Sequence, residues 1–264
     1  MSNNNAPIGF FDSGLGGLSI FKSINELLPN ENTIYIADSK NAPYGEKGKD
    51  KIIELSIKNT EFLLDKGVKL IVVACNTATT NAIEYLRQNY NIPFIGIEPA
   101  TKVAATNTQT GNIGVLATKG TLSSEKFLKT SAPYRKKINF YERDGEGLVE
   151  MIEQNKIEDS AGLLQKYLSP MLENNIDHLV LGCTHYPFLI PEIKKILPEH
   201  IKILEPGQAV ARHTKNVLAQ LHLLNASENA NPKHIFYTNS KTEILEQFIK
   251  THLSLNNYCI EGNY

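Results

Sequence analysis

Tryptophan is absent from this chain of 264 residues, and cysteine occurs only three times, as Cys75, Cys183 and Cys259. The missing tryptophan excludes nothing. The cysteine count, odd and sparse, speaks against a disulfide framework and for reduced thiols in the cytoplasm. An excess of one charge is also missing. The 27 Lys and Arg residues balance 28 Asp and Glu residues, for a formal net charge of −1. A nucleic-acid partner needs a basic bias to neutralise phosphates, so none is expected. The longest apolar runs fall far short of the roughly 20 residues of a membrane span, so no membrane partner is expected either. The start, Met1-Ser2-Asn3-Asn4-Asn5-Ala6-Pro7, has neither a basic n-region nor an apolar h-region and does not read as a signal peptide. Close Cys/His spacing is lacking, which excludes a four-ligand zinc site, and there is no C-x-x-C. No metal is expected. No lysine stands out as a Schiff-base former, and no cofactor is expected.

What is present is 41% hydrophobic residues, ample for a core, in a length that suits one or two domains. Apolar β-rich runs alternate with segments of helical period. Strands are predicted at Ile8–Phe11, Thr33–Ala37, Leu70–Ala74 and Ile92–Ile97, with helices at Leu18–Leu28, Lys49–Lys66 and Thr79–Asn89 between them. A second series has strands at Asn112–Thr118, His178–Leu181 and Ile201–Leu204. Its helices are predicted near Ser123–Lys129, Leu148–Gln154, Leu163–Leu172 and Ile193–Leu197. Leu221–Pro232 reads as a loop, His234–Tyr237 as a strand and Ile244–Ile249 as a helix. Such alternation implies an α/β fold: two similar domains of mainly parallel sheet with crossover helices, and a site in the cleft between them. The expected division is residues 1–98 with 208–264 in the first domain and 99–207 in the second.

Two cysteines follow buried strands and precede polar residues: Leu70-Ile71-Val72-Val73-Ala74-Cys75-Asn76-Thr77 and Leu179-Val180-Leu181-Gly182-Cys183-Thr184-His185. Strand ends of this kind are where open α/β sheets bind ligands. Either cysteine alone could be a small buried hydrophobe. Together, one per half, they suggest proton-transferring groups on two faces of a substrate. Asn76, Thr77 and Thr184 are suited to hold a carboxylate, and His185 to tune Cys183. Two further segments follow strands. In Phe11-Asp12-Ser13-Gly14-Leu15-Gly16-Gly17-Leu18, glycines could let amides approach an anion at a helix N-terminus; a tight turn with Asp12 as cap is the alternative. In Ala37-Asp38-Ser39-Lys40-Asn41-Ala42-Pro43-Tyr44-Gly45, Tyr44 and the Gly45 amide could donate to a carboxylate; an ordinary connection is the alternative. Cys259 reads as structural. The four arginines, Arg87, Arg135, Arg143 and Arg212, lie outside these motifs, so neutral donors and helix N-termini are expected to hold an acidic substrate.

These segments, with Leu116-Ala117-Thr118-Lys119-Gly120-Thr121 and Tyr186-Pro187 after His185, together resemble the glutamate racemases of the cofactor-independent aspartate/glutamate racemase superfamily. They keep the family's order over about 180 residues. The resemblance implies interconversion of L- and D-glutamate by two cysteine bases, supplying D-glutamate for peptidoglycan, in a homodimer. It implies catalytic roles for Cys75, Cys183, Asp12, His185 and Glu153. It implies substrate contacts from Asp12, Ser13, Pro43, Tyr44, Gly45, Asn76, Thr77, Thr118, Thr121, Thr184 and His185. The C-terminal cysteine would take the proton from L-glutamate and the N-terminal one from D-glutamate. Glu150 is the other candidate for the assisting acid. The chain departs from the family at Arg143-Asp144-Gly145-Glu146-Gly147, where Ala-Cys-Pro is common, and at Leu204-Glu205-Pro206-Gly207. Members controlled by a peptidoglycan-precursor activator carry an N-terminal extension, whereas these motifs begin at Ile8, so that control is not expected. The rival readings are a racemase for another acidic amino acid such as aspartate, and a non-catalytic binding protein on the same fold.

Overall fold

Leu70–Val73 and His178–Gly182 are buried along their whole length. A strand covered on both faces must be apolar throughout rather than alternating, and parallel sheets bury their strands in this way. Around these two strands the chain builds two separate sheets. The computed structural model describes residues 4–97, 100–225, 231–262 and 264. In chain order the elements are β1 (Ile8–Asp12), α1 (Leu18–Leu27), β2 (Thr33–Ala37), α2 (Lys49–Asp65), β3 (Leu70–Val73), α3 (Asn76–Asn89) and β4 (Phe94–Gly96). There follow α4 (Thr101–Asn107), β5 (Asn112–Ala117), α5 (Lys119–Leu122), α6 (Glu125–Ser131), β6 (Asn139–Asp144), α7 (Leu148–Glu153) and α8 (Ala161–Glu173). The chain closes with β7 (His178–Gly182), α9 (Ile190–Ile196), β8 (Lys202–Leu204), α10 (Gly207–Gln220), β9 (His234–Thr238), α11 (Thr242–His252) and β10 (Tyr258–Gly262).

One sheet has the order β10-β9-β2-β1-β3-β4 and the other β6-β5-β7-β8, and every pairing is parallel. The predicted α/β class with parallel sheets and crossover helices is therefore what the chain adopts. Within the first sheet, the strand order reverses between β1 and β3. In the second it reverses between β5 and β7. Such switch points open a crevice beyond the carboxyl ends of the strands, and Cys75 and Cys183 follow β3 and β7 directly.

A shared core joins the two sheets, drawing Leu18, Phe21 and Ile24 from α1, Leu148 and Ile152 from α7, Leu164 and Leu168 from α8, and Val210 and Leu218 from α10. Phe21 is wedged among Phe10, Tyr35 and Phe236, with ring centroids 5.2–6.3 Å apart. Helix α10 packs against α1, and β9 and β10 join the first sheet. The expected domain boundary at 98/99 falls outside the described residues, as does the middle of the predicted Leu221–Pro232 loop.

Five elements are present that sequence patterning did not predict: α4, α5, β6, α10 and β10. β6, Asn-Phe-Tyr-Glu-Arg-Asp, is a half-exposed edge strand, and three charges in six residues mask its period. Cys259, read as structural, is instead an exposed thiol on the edge strand β10; nothing packs it away because β10 has a partner strand on one side only.

Candidate functional site

The strand β3 runs into α3 with Cys75 as the N-cap residue, and its Sγ accepts from the Ala78 amide at 3.4 Å. Ser13, just past β1, places its Oγ 3.7 Å from the same sulfur. Burial pushes the Cys75 thiol well above its ordinary value, and nearby Asp12 adds to this, against the Ala78 amide and the contact with Ser13. Cys75 is thus held as a thiol.

On the other sheet, Cys183 Sγ lies 3.7 Å from His185 Nδ1. The opposite ring nitrogen, Nε2, is 2.6 Å from Glu153 Oε1. Burial disfavours the imidazolium, but the Cys183 sulfur and the Glu153 carboxylate on its two nitrogens outweigh it and raise the His185 pKa. The two thiols therefore differ: one faces a hydroxyl and a backbone amide, the other an imidazole whose pKa is raised.

Both sulfurs line one cavity, with Ser13, Pro43, Tyr44, Gly45, Asn76, Thr77, Thr118, Val149, Thr184 and His185. It is narrow, about 10 Å³, on the order of a single water. A cavity of about 270 Å³ adjoins it and shares Pro43, Gly45, Thr118 and Val149. Asn76 is 2% exposed, yet neither its Nδ2 nor its Oδ1 has a hydrogen-bond partner. A buried amide with nothing to bond costs a few kcal/mol, which is the mark of a group reserved for a ligand.

Most residues expected at the site are brought together, some in other roles. Thr118 caps α5 and its Oγ1 is 3.0 Å from Thr77 Oγ1, so the two sheets' strand ends touch here. Thr121 does not line the cavity; its Oγ1 stands 3.1 Å behind Thr118 Oγ1 and supports it. Tyr44 lines the cavity, but its hydroxyl is engaged elsewhere. That hydroxyl is buried and donates to Asp38 Oδ2 at 2.5 Å, so it is not free for a substrate carboxylate. Asp12 is fully buried behind the cavity, where its Oδ2 accepts from the Gly17 amide at 2.8 Å and the Gly14 amide at 3.3 Å. Burial raises its pKa, with His185 and the Gly17 amide opposing.

The glycine segment also differs from its reading as an anion cradle. Its amides are occupied by the protein's own carboxylates: Gly14 and Gly17 bond Asp12, and the Leu15 amide donates to Glu153 Oε1 at 2.5 Å. The glycines instead make room. A Cβ at Gly14 would fall 2.0 Å from Glu153 Oε1, and one at Gly16 2.1 Å from His185 Nδ1. Gly145, in the segment where the chain departs from its relatives' pattern, likewise lies against Tyr186, whose Oη a Cβ would meet at 2.2 Å. Of the two candidate acids, Glu153 contacts His185, whereas Glu150 lines the adjoining cavity. No motif assigned a role to Ser39, whose Oγ donates to Glu153 Oε2 at 3.3 Å, nor to Asp38, Asn59 and Val149.

Residues 8–214 match the Asp/Glu/hydantoin racemase family. The chain belongs to that family. Glutamate racemase of Herpetosiphon aurantiacus is 45% identical over 221 residues, covering 83% of this chain and 87% of that protein. Among solved structures, the RacE1 isoform of glutamate racemase from Bacillus anthracis superposes with a TM-score of 0.88 at 31% identity, over 99% of this chain and 98% of that one. Glutamate racemase from Francisella tularensis in complex with D-glutamate superposes with a TM-score of 0.81 at 30% identity, over 98% of each chain. Among the described residues, no helix is long and apolar enough to cross a membrane, and no group of three or more His, Cys, Asp or Glu could hold a metal ion.

Proposed function

We infer that this chain is a glutamate racemase, interconverting L- and D-glutamate by two-base proton transfer at Cα. The observation that carries this is the pair of thiols, one from each sheet, on a single cavity that also holds the unpartnered Asn76 amide. Inverting Cα requires removing a proton from one face and returning one to the other. With L-glutamate, Cys183 as thiolate takes the Cα proton while Cys75, held protonated, delivers its own to the opposite face. The Cα–H bond breaks, an S–H bond forms on Cys183, and Cys75 is left as thiolate. With D-glutamate the roles reverse.

His185 stands beside Cys183 to exchange its proton, and Glu153 fixes the ring. Asn76, Thr77 and Thr184 face the α-carboxylate, where charge accumulates as Cα loses its proton. Ser13 and the backbone of Pro43–Gly45 complete the substrate contacts, with Thr118 and, behind it, Thr121. Asp12 fixes the turn that carries Ser13. The narrow cavity admits glutamate when the loops of the two sheets part, and closure then excludes water. Residues 1–98 with 208–264 form one domain and 99–207 the other, a division supported by the two sheets and by α10 packing on α1. The chain acts in the cytoplasm as a homodimer and supplies D-glutamate for peptidoglycan.

The test is incubation of each enantiomer in D2O with the parent, Cys75→Ala and Cys183→Ala, following optical rotation and Cα deuteration. Both substitutions are expected to abolish racemisation. Full two-way turnover by either variant, or no exchange by the parent, refutes the reading.

A further inference from the structure

The loop that carries Pro43, Tyr44 and Gly45 into the cavity is tied down from an unexpected quarter. β2 pairs with β9 in a register that sets Ala37 beside Thr238. The next residues, Asp38 and Asn239, consequently emerge side by side from the carboxyl edge of the sheet. Asn239 grips the start of the loop with both ends of its amide. Its Oδ1 accepts from the Lys40 amide at 2.9 Å, and its Nδ2 donates to Asp38 Oδ1.

Asp38 is 1% exposed, and a carboxylate so buried must be fully hydrogen-bonded. Besides Asn239, its donors are Asn41 Nδ2 at 2.8 Å on Oδ1 and the Tyr44 hydroxyl on Oδ2. The Tyr44 oxygen in turn accepts from Asn59 Nδ2 at 3.2 Å. A chain of hydrogen bonds therefore runs from Asn239 through Asp38 to Tyr44, one residue before Gly45. The far side of Gly45 is against the other sheet: a Cβ there would lie 3.0 Å from Thr118 Cβ. The loop is thus fixed between a C-terminal asparagine and the opposite wall of the cavity. Asn239 lies beyond residues 8–214, which match the family, and it does not line the cavity.

We propose that Asn239 is a positioning residue for substrate binding, acting through Asp38 and Tyr44 to set the backbone of Pro43–Gly45 at the cavity. This rests on the reading of the chain as a glutamate racemase whose loop contacts the substrate. Asn239 itself touches neither sulfur nor the His185–Glu153 pair, and the loop reaches that pair through the long 3.3 Å hydrogen bond from Ser39 to Glu153, so its main effect is on binding rather than proton transfer.

The experiment compares KM, kcat and the pH profile of kcat in both directions for the parent, N239A, N239D and N239D/D38N. In N239A, KM is expected to rise about tenfold for both enantiomers, the effect of one lost charge-assisted hydrogen bond, with kcat within about threefold and its pH profile unmoved. N239D keeps the acceptor for Lys40 but sets two carboxylates together, so its KM rises further. Adding D38N restores a donor opposite the introduced carboxylate and brings KM back toward that of N239A. A KM for N239A within about twofold of the parent's overturns the proposal. So does a shifted kcat profile, or an N239D/D38N variant no better than N239D, a comparison that stands even if N239A does not fold. An inactive parent refutes the racemase reading instead; an active parent with indifferent variants refutes only the role of Asn239.

Discussion

Replacing Gly16 by alanine tests the link between the glycine segment and Cys183. The backbone of Gly16 is outside the left-handed region, so alanine is conformationally acceptable and the effect is steric. Its Cβ would lie 2.1 Å from His185 Nδ1, 2.5 Å from Cγ and 2.6 Å from Cε1. Real Cβ contacts begin near 3.0 Å, so in a close-packed interior the ring must move by about 0.9 Å. It cannot swing out freely, because Nε2 is held by Glu153 at 2.6 Å and the residue is 2% exposed. The nitrogen displaced is the one that faces Cys183 Sγ. A misplacement of about 1 Å costs on the order of 100-fold in rate. Crowding of this kind also destabilises by about 1–3 kcal/mol, which in a chain of this size lowers the melting temperature by roughly 2–4 °C per kcal/mol. The assay is Cα deuteration of L-glutamate, where Cys183 abstracts, against that of D-glutamate, where Cys75 abstracts. Inversion should fall about 100-fold from either enantiomer, because Cys183 takes the proton from L-glutamate and delivers it when D-glutamate reacts. Gly48→Ala, with nothing within 4 Å of the added carbon, is the control and should be silent. Exchange from L-glutamate within about threefold of the parent's in a folded Gly16→Ala protein would refute the reasoning.

Glu153→Gln removes one of the two groups that raise the His185 pKa. The imidazolium is lost as pH rises through that pKa, so kcat for L-glutamate should decline at a lower pH in the variant than in the parent, as a kcat–pH profile will show. Asp12→Asn should stabilise the fold, because an asparagine oxygen can still accept from the Gly14 and Gly17 amides. The Asp12 pKa is raised in the folded state, so ionising it costs stability as pH climbs above its ordinary value of 3.8. The variant's gain in melting temperature should be present at pH 7 and vanish below that value. Lys69→Ala strands Glu31: the pair is 2.5 Å apart with both side chains 3% exposed, and Lys69 also donates to the Asn4 and Leu223 carbonyls. Breaking a buried pair costs about 3–5 kcal/mol, measurable by urea unfolding, with KM unchanged.

How much could be read from the chain depended on how local the signal was. β3 and β7 were legible because strands buried on both faces are written as unbroken apolar runs, and the cysteines that follow them inherit their position. β2 and β9 were legible for the same reason, but their register was not. The contact of Asn239 with Asp38 depends on that register between residues 201 apart in the chain, and no local pattern encodes it. Gly14 and Gly16 were visible as glycines, and of the two readings open to their segment the tight turn held by Asp12 is the one that forms. What demands a missing Cβ there is Glu153 and His185, which arrive from the other sheet. Tyr44 carries no sign that its hydroxyl is spent on Asp38. Glu153 could be singled out only by resemblance, since nothing in α7 distinguishes it from Glu150 until His185 is placed beside one of them.

The two sheets repeat one plan. β2-β1-β3-β4 and β6-β5-β7-β8 have the same order and the same switch point, and each thiol follows the same strand of its set. Equivalent positions explain how a chain supplies bases to two opposite faces of one carbon. Equivalent surroundings would defeat the chemistry. In either direction one sulfur must begin with a proton and the other without, and two thiols of equal proton affinity would leave the choice to chance. The repeat is therefore broken in its side chains. Burial and Asp12 keep Cys75 protonated, with Ser13 beside it, while His185, braced by Glu153, brings a positive charge to Cys183. Environments that push two titratable groups apart assign the acid and the base. In the proposed mechanism each turnover of L-glutamate leaves Cys183 with a proton and Cys75 without one, so a proton must be carried from Cys183 to Cys75 before the next turnover in that direction. His185, the titratable side chain in contact with Cys183, is where that transfer begins.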